Sequence, residues 1–399
     1  MTGFEQLSKV AQRADKMLLA LTKQIQEQKQ EFQADVFYQV YSKSAVAKLP
    51  KLTRASVDGA VAEMEAQGYQ FEKRPAGTAT KYALTIQNII DIYAHRGIPK
   101  YRDRYNEAYS IFIGSLKGGV SKTVSSVSVA HALRAHPHLL SEDLRILVLD
   151  LDPQSSATMF LNYLHAVGLV DTTVPQAMLQ NVSREELLED FIVPSVIPGV
   201  YVMPASIDDA FIASNWDTLC AEYLPEQNKH AILRENIIDK LKYDFDFILI
   251  DTGPHLDAFL KNAIVAADIM FTPVPPAQVD FHSTLKYLAR LPELVQLIER
   301  EGYLCRLQAN IGFMAKLANK PDHKYCHSLT KEIFGGDMLD VSMPRLDGFE
   351  RSGESFDTVI SANPATYVGS GEALRNARMA AEDFAKAVFD RIEFIRANY

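Results

Sequence analysis

From Phe4 to Phe32 the apolar positions recur every three or four residues: Phe4, Leu7, Ala11, Ala14, Leu18, Leu21, Ile25 and Phe32, with the polar Gln28 in the same stripe. This is the seam of a long amphipathic helix, and no glycine or proline interrupts it after Gly3. The stripe is longer than a small domain can cover. A dimerisation helix over residues 1–32 is therefore the sharper expectation, and a helix lying along its own domain the plainer one. The pattern then shortens. Ala45, Val46 and Leu49 belong to a short helix, Pro50 and Lys51 turn the chain, and Thr53 can cap a second helix with Val57, Ala60, Val61 and Met64 on its buried side. Strand-like residues 69–74, a Pro75-Ala76-Gly77-Thr78 turn and a return strand over 81–85 follow. A further helix spans 86–97, and 97–104 is a polar, basic linker.

From Tyr109 onward the period changes again. Largely apolar runs at 109–113, 145–150, 245–251 and 269–274 have the composition of strands buried on both faces. Shorter strand-like runs lie at 200–204, 305–311 and 338–343. Helical stretches separate them, among them 124–133, 228–243, the segment starting at Asp280, and 369–398. Ser183-Arg184-Glu185-Glu186 reads as a capping box, and 344–355 reads as a loop. Strands alternating with helices predict an α/β fold, a mostly parallel sheet with flanking helices, behind the N-terminal helix and a small helical domain at 33–100. The α/β body spans 105–399.

Composition sharpens this in two places. The 399 residues carry a net charge of −9, yet residues 1–100 hold 14 Lys and Arg against 10 Asp and Glu. A basic N-terminal part on an acidic body suits a DNA-binding module joined to an enzyme. Helix, turn, helix and basic hairpin in that order predict a winged helix-turn-helix. Lys51, Thr53, Arg54 and Ser56 stand at the start of its second helix, where side chains meet base edges. Lys73, Arg74 and Lys81 flank the hairpin turn, where they meet phosphates. A small helical domain with solvated lysines is the alternative. Cys220, Cys305 and Cys326 are dispersed, which fits a reducing cytoplasm and neither a disulfide framework nor a thiolate zinc site. The N-terminus has no apolar signal core, and no apolar run is long enough to span a bilayer.

The chemistry concentrates where the first long apolar run ends. Lys117-Gly118-Gly119-Val120-Ser121-Lys122-Thr123 follows a strand and precedes a helix, the context in which backbone N–H groups and a helix N-terminus surround a phosphate. There Lys122 would reach the β- and γ-phosphates and the Thr123 hydroxyl would bind Mg²⁺. The usual loop opens with glycine, where this chain has Leu116, and has glycine before the lysine, where it has Ser121. A glycine turn before an ordinary helix is the plain alternative. Two further strands run into acids, Asp150-Leu151-Asp152-Pro153-Gln154 and Asp251-Thr252-Gly253-Pro254, at the strand ends where α/β sheets bind ligands. Asp251 would hold a Mg²⁺-bound water. His255 beside it reads as a surface residue.

The run K-G-G-V-x-K-T resembles the deviant phosphate loop of the ParA/MinD family of ATPases, and D-L-D-P-Q resembles its switch I. The resemblance implies an ATP- and ADP-binding site with Mg²⁺, in which Lys117 crosses a nucleotide-sandwich homodimer to the partner's phosphates. It implies that Asp152 positions the attacking water, that Asp150 orients Mg²⁺ or its waters, and that Thr252–Pro254 move with the γ-phosphate. Ser121 replaces a glycine of the pattern, a change serine tolerates if the position keeps an ordinary helical φ. Asn310 is a candidate for the adenine, as a polar residue at a strand end. Lys316, Lys320, Lys324, Arg345 and Arg351 are candidates for contact with DNA phosphates.

With its N-terminal extension the chain is similar to the long plasmid and phage partition ATPases that also repress their own operon. That likeness implies a bacterial, plasmid- or phage-encoded, nucleoid-associated protein. Its partners would be a centromere-binding ParB-type protein, operator DNA and chromosomal DNA of any sequence. The alternatives are a nucleotide-controlled repressor with no transport role and a MinD-like positioning ATPase. The acids in the amphipathic tail 389–396 make it a poor membrane anchor. An iron-protein relative would need cysteines beside the switches, and none stands there.

Overall fold

The computed structural model describes residues 3–31, 36–77, 79–165 and 170–398. Phe32 of the heptad stripe and Thr78 of the hairpin turn lie outside the described residues. Helix α1, Gly3–Glu31, is one unbroken helix whose Phe4, Leu7, Val10, Leu18 and Leu21 are exposed. It therefore does not lie along its own domain.

Three helices follow: α2 (Lys43–Val46), α3 (Arg54–Ala66) and α4 (Ile86–His95). Thr53 caps α3 in a reciprocal box with Ser56, because hydroxyls at these two positions satisfy N–H groups the helix leaves free. Val57, Ala60, Val61 and Met64 face inward as the spacing requires. The Tyr93 hydroxyl on α4 donates to the Pro50 carbonyl at 2.7 Å and pins the turn between α2 and α3. The wing is an antiparallel pair, Lys73–Ala76 with Ala79–Tyr82, around Gly77 at φ 66°. Its strands sit closer to the turn than the sequence suggests, since Pro75 and Ala76 continue the first strand.

The segment 97–104 is not a free linker. Tyr101 is fully buried against Phe247 and Phe389, with ring centroids 5.0 and 5.9 Å away. Lys100 and Arg102 are tied to Asp143, and Arg102 also to Asp246. One apolar core runs from Val57 and Ile89 of the N-terminal domain into Phe247 and Phe384 of the body.

The body is built on an eight-stranded sheet: β1 (Tyr109–Ile113), β2 (Ile146–Leu151), β3 (Val193–Pro194), β4 (Val200–Met203), β5 (Phe247–Thr252), β6 (Ile269–Val274), β7 (Ala309–Leu317) and β8 (Met343–Pro344). Their spatial order is β8-β7-β6-β1-β5-β2-β4-β3. Every pairing is parallel except the short edge strand β3 against β4. Helices α5 (Lys122–Ala135) and the C-terminal α11 (Gly371–Asn398, numbered after those introduced below) pack on one face through residues such as Val127 and Phe384. Helix α7 (Ala258–Ala266) packs on the other through Phe259 and Leu260. Helices α6 (Ser156–Leu161), α8 (Gln278–Arg300), α9 (Pro321–Phe334) and α10 (Asp347–Ser352) complete the set that bears on the site.

Three expectations fail here. The strand expected at 305–311 lies at Ala309–Leu317, the one expected at 338–343 is Met343–Pro344, and the expected loop 344–355 contains α10. The first error moves Asn310. It is the second residue of β7, at the strand's N-terminal end, and its side-chain Oδ1 accepts from the Thr272 hydroxyl at 2.7 Å. Ligands of a parallel sheet sit beyond the opposite ends of its strands, and Asn310 is not among the residues that line the cleft described below.

Candidate functional site

The C-terminal ends of β1, β2, β5, β7 and β8 open on a cleft of about 480 Å³. Its floor is the loop 118–123, its sides are Asp152, Gln154, Thr252 and Pro254, and its far wall is Lys316, Met343–Leu346 and Phe349. Gly119 bends the loop at φ 72°, a region open to glycine. Ser121 sits at φ 69°. The ordinary helical φ assumed for it is therefore wrong, and serine pays the steric cost that the family's glycine avoids. Ser155 and Lys316, at φ 54° and 55°, adopt the same region. Ser121 and Lys316 line the cleft, and Ser155 lies between its lining residues Gln154 and Ser156; such left-handed L-residues carry the kind of strain that gathers at binding sites.

Lys122 is the first residue of α5 and is 6 % exposed. Its ammonium donates to the Lys117 carbonyl at 3.2 Å. Burial pushes its pKa down, and the charges of Asp251 and Asp152 pull it back. Thr123 donates to Asp251 Oδ2 at 2.7 Å and Ser126 to Asp251 Oδ1 at 3.1 Å. Thr123 and Ser126 share a face of α5 because they are three apart. Asp251 is fully buried, and burial lifts its pKa to about 6. Its register partner on β2 is Asp150. Burial first, and then the charge of Asp251, push Asp150 to about 8. Asp150 does not line the cleft. Its Oδ2 accepts from the Thr158 N–H and hydroxyl at 2.8 and 2.7 Å, and its Oδ1 accepts from the Asp152 N–H at 3.1 Å. It holds the segment after β2 in shape. Asp152 lines the cleft, with Oδ1 accepting from Gln154 N at 3.0 Å.

These residues fit a nucleoside triphosphate and a divalent cation. The loop supplies backbone N–H groups at a helix N-terminus, and Lys122 supplies the positive charge. The paired Thr123 hydroxyl and Asp251 carboxylate are hard oxygen donors of the kind Mg²⁺ takes. Among the described residues no group of three or more His, Cys, Asp or Glu is placed to hold a metal by itself.

Lys117 forms an ion pair with Asp280, Nζ to Oδ1 3.1 Å, in the first turn of α8. Sequence reasoning missed Asp280, since an acid in a helix's first turn is ordinary. It also missed Pro344, Leu346 and Phe349, which carry no motif. Lys316 and Arg345, candidates for DNA contact, lie in the wall of this cleft. Arg345 faces Glu350 at 3.4 Å, and Arg351 donates to the Val368 carbonyl at 3.5 Å.

In the N-terminal domain, Lys51 stands exposed at φ 61° and Lys81 is also exposed. Arg54 is exposed and lies 3.7 Å from Asp58. The other candidates are occupied within the domain. The Thr53 and Ser56 hydroxyls serve the α3 cap. Lys73 is 2.8 Å from Glu65, and Arg74 is 2.7 Å from Glu72.

Comparison with known proteins gives the same division. The ParA helix-turn-helix domain family matches residues 14–105, and an AAA domain family matches 108–302. Plasmid partition protein A of Escherichia coli is 75% identical over 398 residues, covering 100% of both chains. A solved structure described as a partition protein is 49% identical, covers 99% of each chain and superposes with a TM-score of 0.80. A cobyrinic acid a,c-diamide synthase from Mycobacterium smegmatis, solved with ADP and magnesium, shares the fold of the body at 19% identity, with a TM-score of 0.51 over 72% of this chain and 96% of its own. Phosphate loop, paired acids and helix-turn-helix therefore stand in one chain that is similar over its whole length to a plasmid partition protein, and the chain belongs to the ParA family of partition ATPases.

Proposed function

We propose that the chain hydrolyses ATP to ADP and phosphate with Mg²⁺, and that this cycle switches how it binds DNA. The observation that carries the reading is the loop geometry. Lys122 lies at the start of α5, the Thr123–Asp251 pair lies beneath a cleft whose side bears Asp152, and Lys117 stands next to Gly118 of its floor, paired with Asp280. With ATP bound, two bodies close face to face, and Lys117 leaves Asp280 for the partner's phosphates. Mg²⁺ supplies charge neutralisation at the phosphates. Thr123 would hold it directly and Asp251 through its waters, while Asp152 orients the attacking water.

The exposed apolar stripe of α1 supports a homodimer formed through that helix. Two helix-turn-helix domains held in this way read a palindromic operator, with ADP favouring that state. The closed ATP dimer binds chromosomal DNA of any sequence, with Lys320 and Lys324 at the start of α9 among the contacts. A centromere-binding ParB-type partner stimulates hydrolysis and so moves low-copy DNA over the nucleoid. The apolar face of α11, Phe389, Ile392 and Ile395 included, is buried in the core. That argues against a membrane-positioning role. Among the described residues no helix is long and apolar enough to cross a membrane.

The test compares the wild type with Lys122→Ala for binding of a fluorescent ATP analogue and for phosphate release, with and without Mg²⁺. Metal-dependent release by the wild type and loss of both binding and release in the variant are expected. Equal turnover by the two proteins would remove the loop from the mechanism.

A further inference from the structure

Arg134 stands at the end of α5 remote from the phosphate loop and is 4 % exposed. Its guanidinium donates to Asp143 Oδ1 at 2.8 Å, to the Pro198 and Leu144 carbonyls at 2.6 and 3.0 Å, and to Gln87 Oε1 at 3.3 Å. A Cβ on Gly199, at φ 93°, would run into the guanidinium, so the turn before β4 is shaped around it. Asp143 has partners of its own. Its Oδ2 accepts from Lys100 Nζ at 2.8 Å, and its carbonyl from Arg102 at 2.6 Å. Gln87 belongs to α4, and Lys100 and Arg102 to the segment that joins the N-terminal domain to the body. A buried ion pair therefore ties the helix that follows the phosphate loop to the helix-turn-helix domain.

Packing alone does not call for such a pair. Apolar side chains of similar volume in place of a buried ion pair are often neutral or stabilising, and Leu139, Leu140 and Ile89 already join the two parts in one apolar core. What the pair adds is a fixed relation between elements. Helix α5 is suited to carry it. It contains no proline or glycine, is buried along nearly its whole length, and sets Arg134 about 18 Å from Lys122. Its other end has two possible sets of partners. Thr123 donates to Asp251 in this structure, and in the proposed cycle it turns that hydroxyl to Mg²⁺. A close-packed interior passes such a change along instead of absorbing it.

We propose that the Arg134–Asp143 pair is the clasp through which the nucleotide site and the operator-reading domain act on each other. The inference rests on DNA binding that answers to nucleotide. Both are positioning residues, since neither lines the cleft nor stands on the helix-turn-helix. The clasp passes the placement of α5 to α4 and to residues 100–102, and so to the angle at which α3 is presented. Such coupling is reciprocal: the duplex must raise ADP affinity by the factor by which ADP raises duplex affinity. Arg104 supplies the contrast. It joins the same segment to Glu142 at 2.9 Å and to Glu393 at 3.1 Å, and neither of these belongs to α5.

The experiment uses the full chain as wild type, Arg134→Met, the double variant Gln87→Met with Lys100→Met, and Arg104→Met. It measures affinity for the duplex upstream of the chain's own gene, without nucleotide and with ADP and Mg²⁺, affinity for ADP with and without that duplex, and Tm. In the wild type each ligand is expected to tighten the other at least about fivefold. Arg134→Met and the double variant are expected to bring both factors below about twofold, with ADP affinity in the absence of DNA held within about twofold of wild type. The double variant keeps Arg134 on Asp143, so it reports even where Arg134→Met does not fold. Arg104→Met is expected to keep both factors. Wild-type factors in the double variant would overturn the proposal and leave the nucleotide switch standing. An equal loss in Arg104→Met would also overturn it, since docking of the domain in general and not the clasp would then matter. No effect of ADP on the wild type would instead sink the switch itself, and this inference with it.

Discussion

Asp251→Asn separates what the site costs from what it does. The wild-type carboxyl is fully buried, and burial raises its pKa from 3.8 to about 6, against the pull of the Thr123 hydroxyl and Lys122. A folded pKa above the unfolded one means that the folded state binds protons more tightly. The contribution of Asp251 to stability is full below pH 3.8 and is lost as pH rises toward 6. Ionised at pH 8, it therefore opposes folding by about 3 kcal/mol, at about 1.4 kcal/mol for each pKa unit. Asparagine removes that charge and also relieves Asp150, whose pKa the same charge helps to raise. The charged hydrogen bonds from Thr123 and Ser126 already act within that shift, so their loss adds no further cost. The net is a nucleotide-free protein about 3 kcal/mol more stable than wild type at pH 8, with the gain gone near pH 4, where the folded carboxyl is neutral.

Urea unfolding at pH 4, 6 and 8 reads this directly. The same variant should lose its response to Mg²⁺ and ATP. Saturating nucleotide at about 100 times Kd stabilises a binding protein by about 2.7 kcal/mol, and the variant should keep less than half of the wild-type gain. A variant less stable than wild type at pH 8, or one with the full gain from Mg²⁺ and ATP, would refute the reasoning.

Three further outcomes are expected. Asp152→Ala should bind ATP within about threefold of wild type and release phosphate at least tenfold more slowly, which a single-turnover assay measures. Ser121→Gly relieves a left-handed serine costing about 1 kcal/mol or more. Part of the gain is offset by the freer unfolded glycine, so unfolding should show a stabilisation of about 0.5 kcal/mol with nucleotide affinity unchanged or tighter. Leu18→Glu with Leu21→Glu should leave the melting of the body unchanged, since both leucines are exposed, and should shift nucleotide-free protein toward monomer in sedimentation.

The central strands were legible because a strand buried on both faces writes a largely apolar run. Tyr109–Ile113 and Ile269–Val274 fall where the sequence places them. β7 was not, because Asn310, Gly312 and Lys316 break its run while Cys305 and Leu307 offer a false start. The loop 117–123 was legible from residue type and context. Its backbone was not, since serine gives no warning of φ 69°. The cleft's far wall is assembled from β7, β8 and α10, which meet only in three dimensions. The same holds for the Lys117–Asp280 pair, 163 residues apart. The N-terminal domain shows a third limit. The basic residues stand where the pattern puts them, but Glu65 reaches Lys73 from α3 and Glu72 reaches Arg74 from two residues away, pairings that a charge count cannot see.

The most direct test of the switch is DNA affinity at one fixed salt concentration, with no nucleotide, with ADP, and with a slowly hydrolysed ATP analogue. Each state is tried on the duplex upstream of the chain's own gene and on a scrambled duplex of equal length. The account predicts that ADP favours the upstream duplex and that the analogue erases the preference while holding both. Specific binding that is equal or stronger with the analogue, with scrambled DNA never bound, would contradict it and leave a nucleotide-controlled repressor.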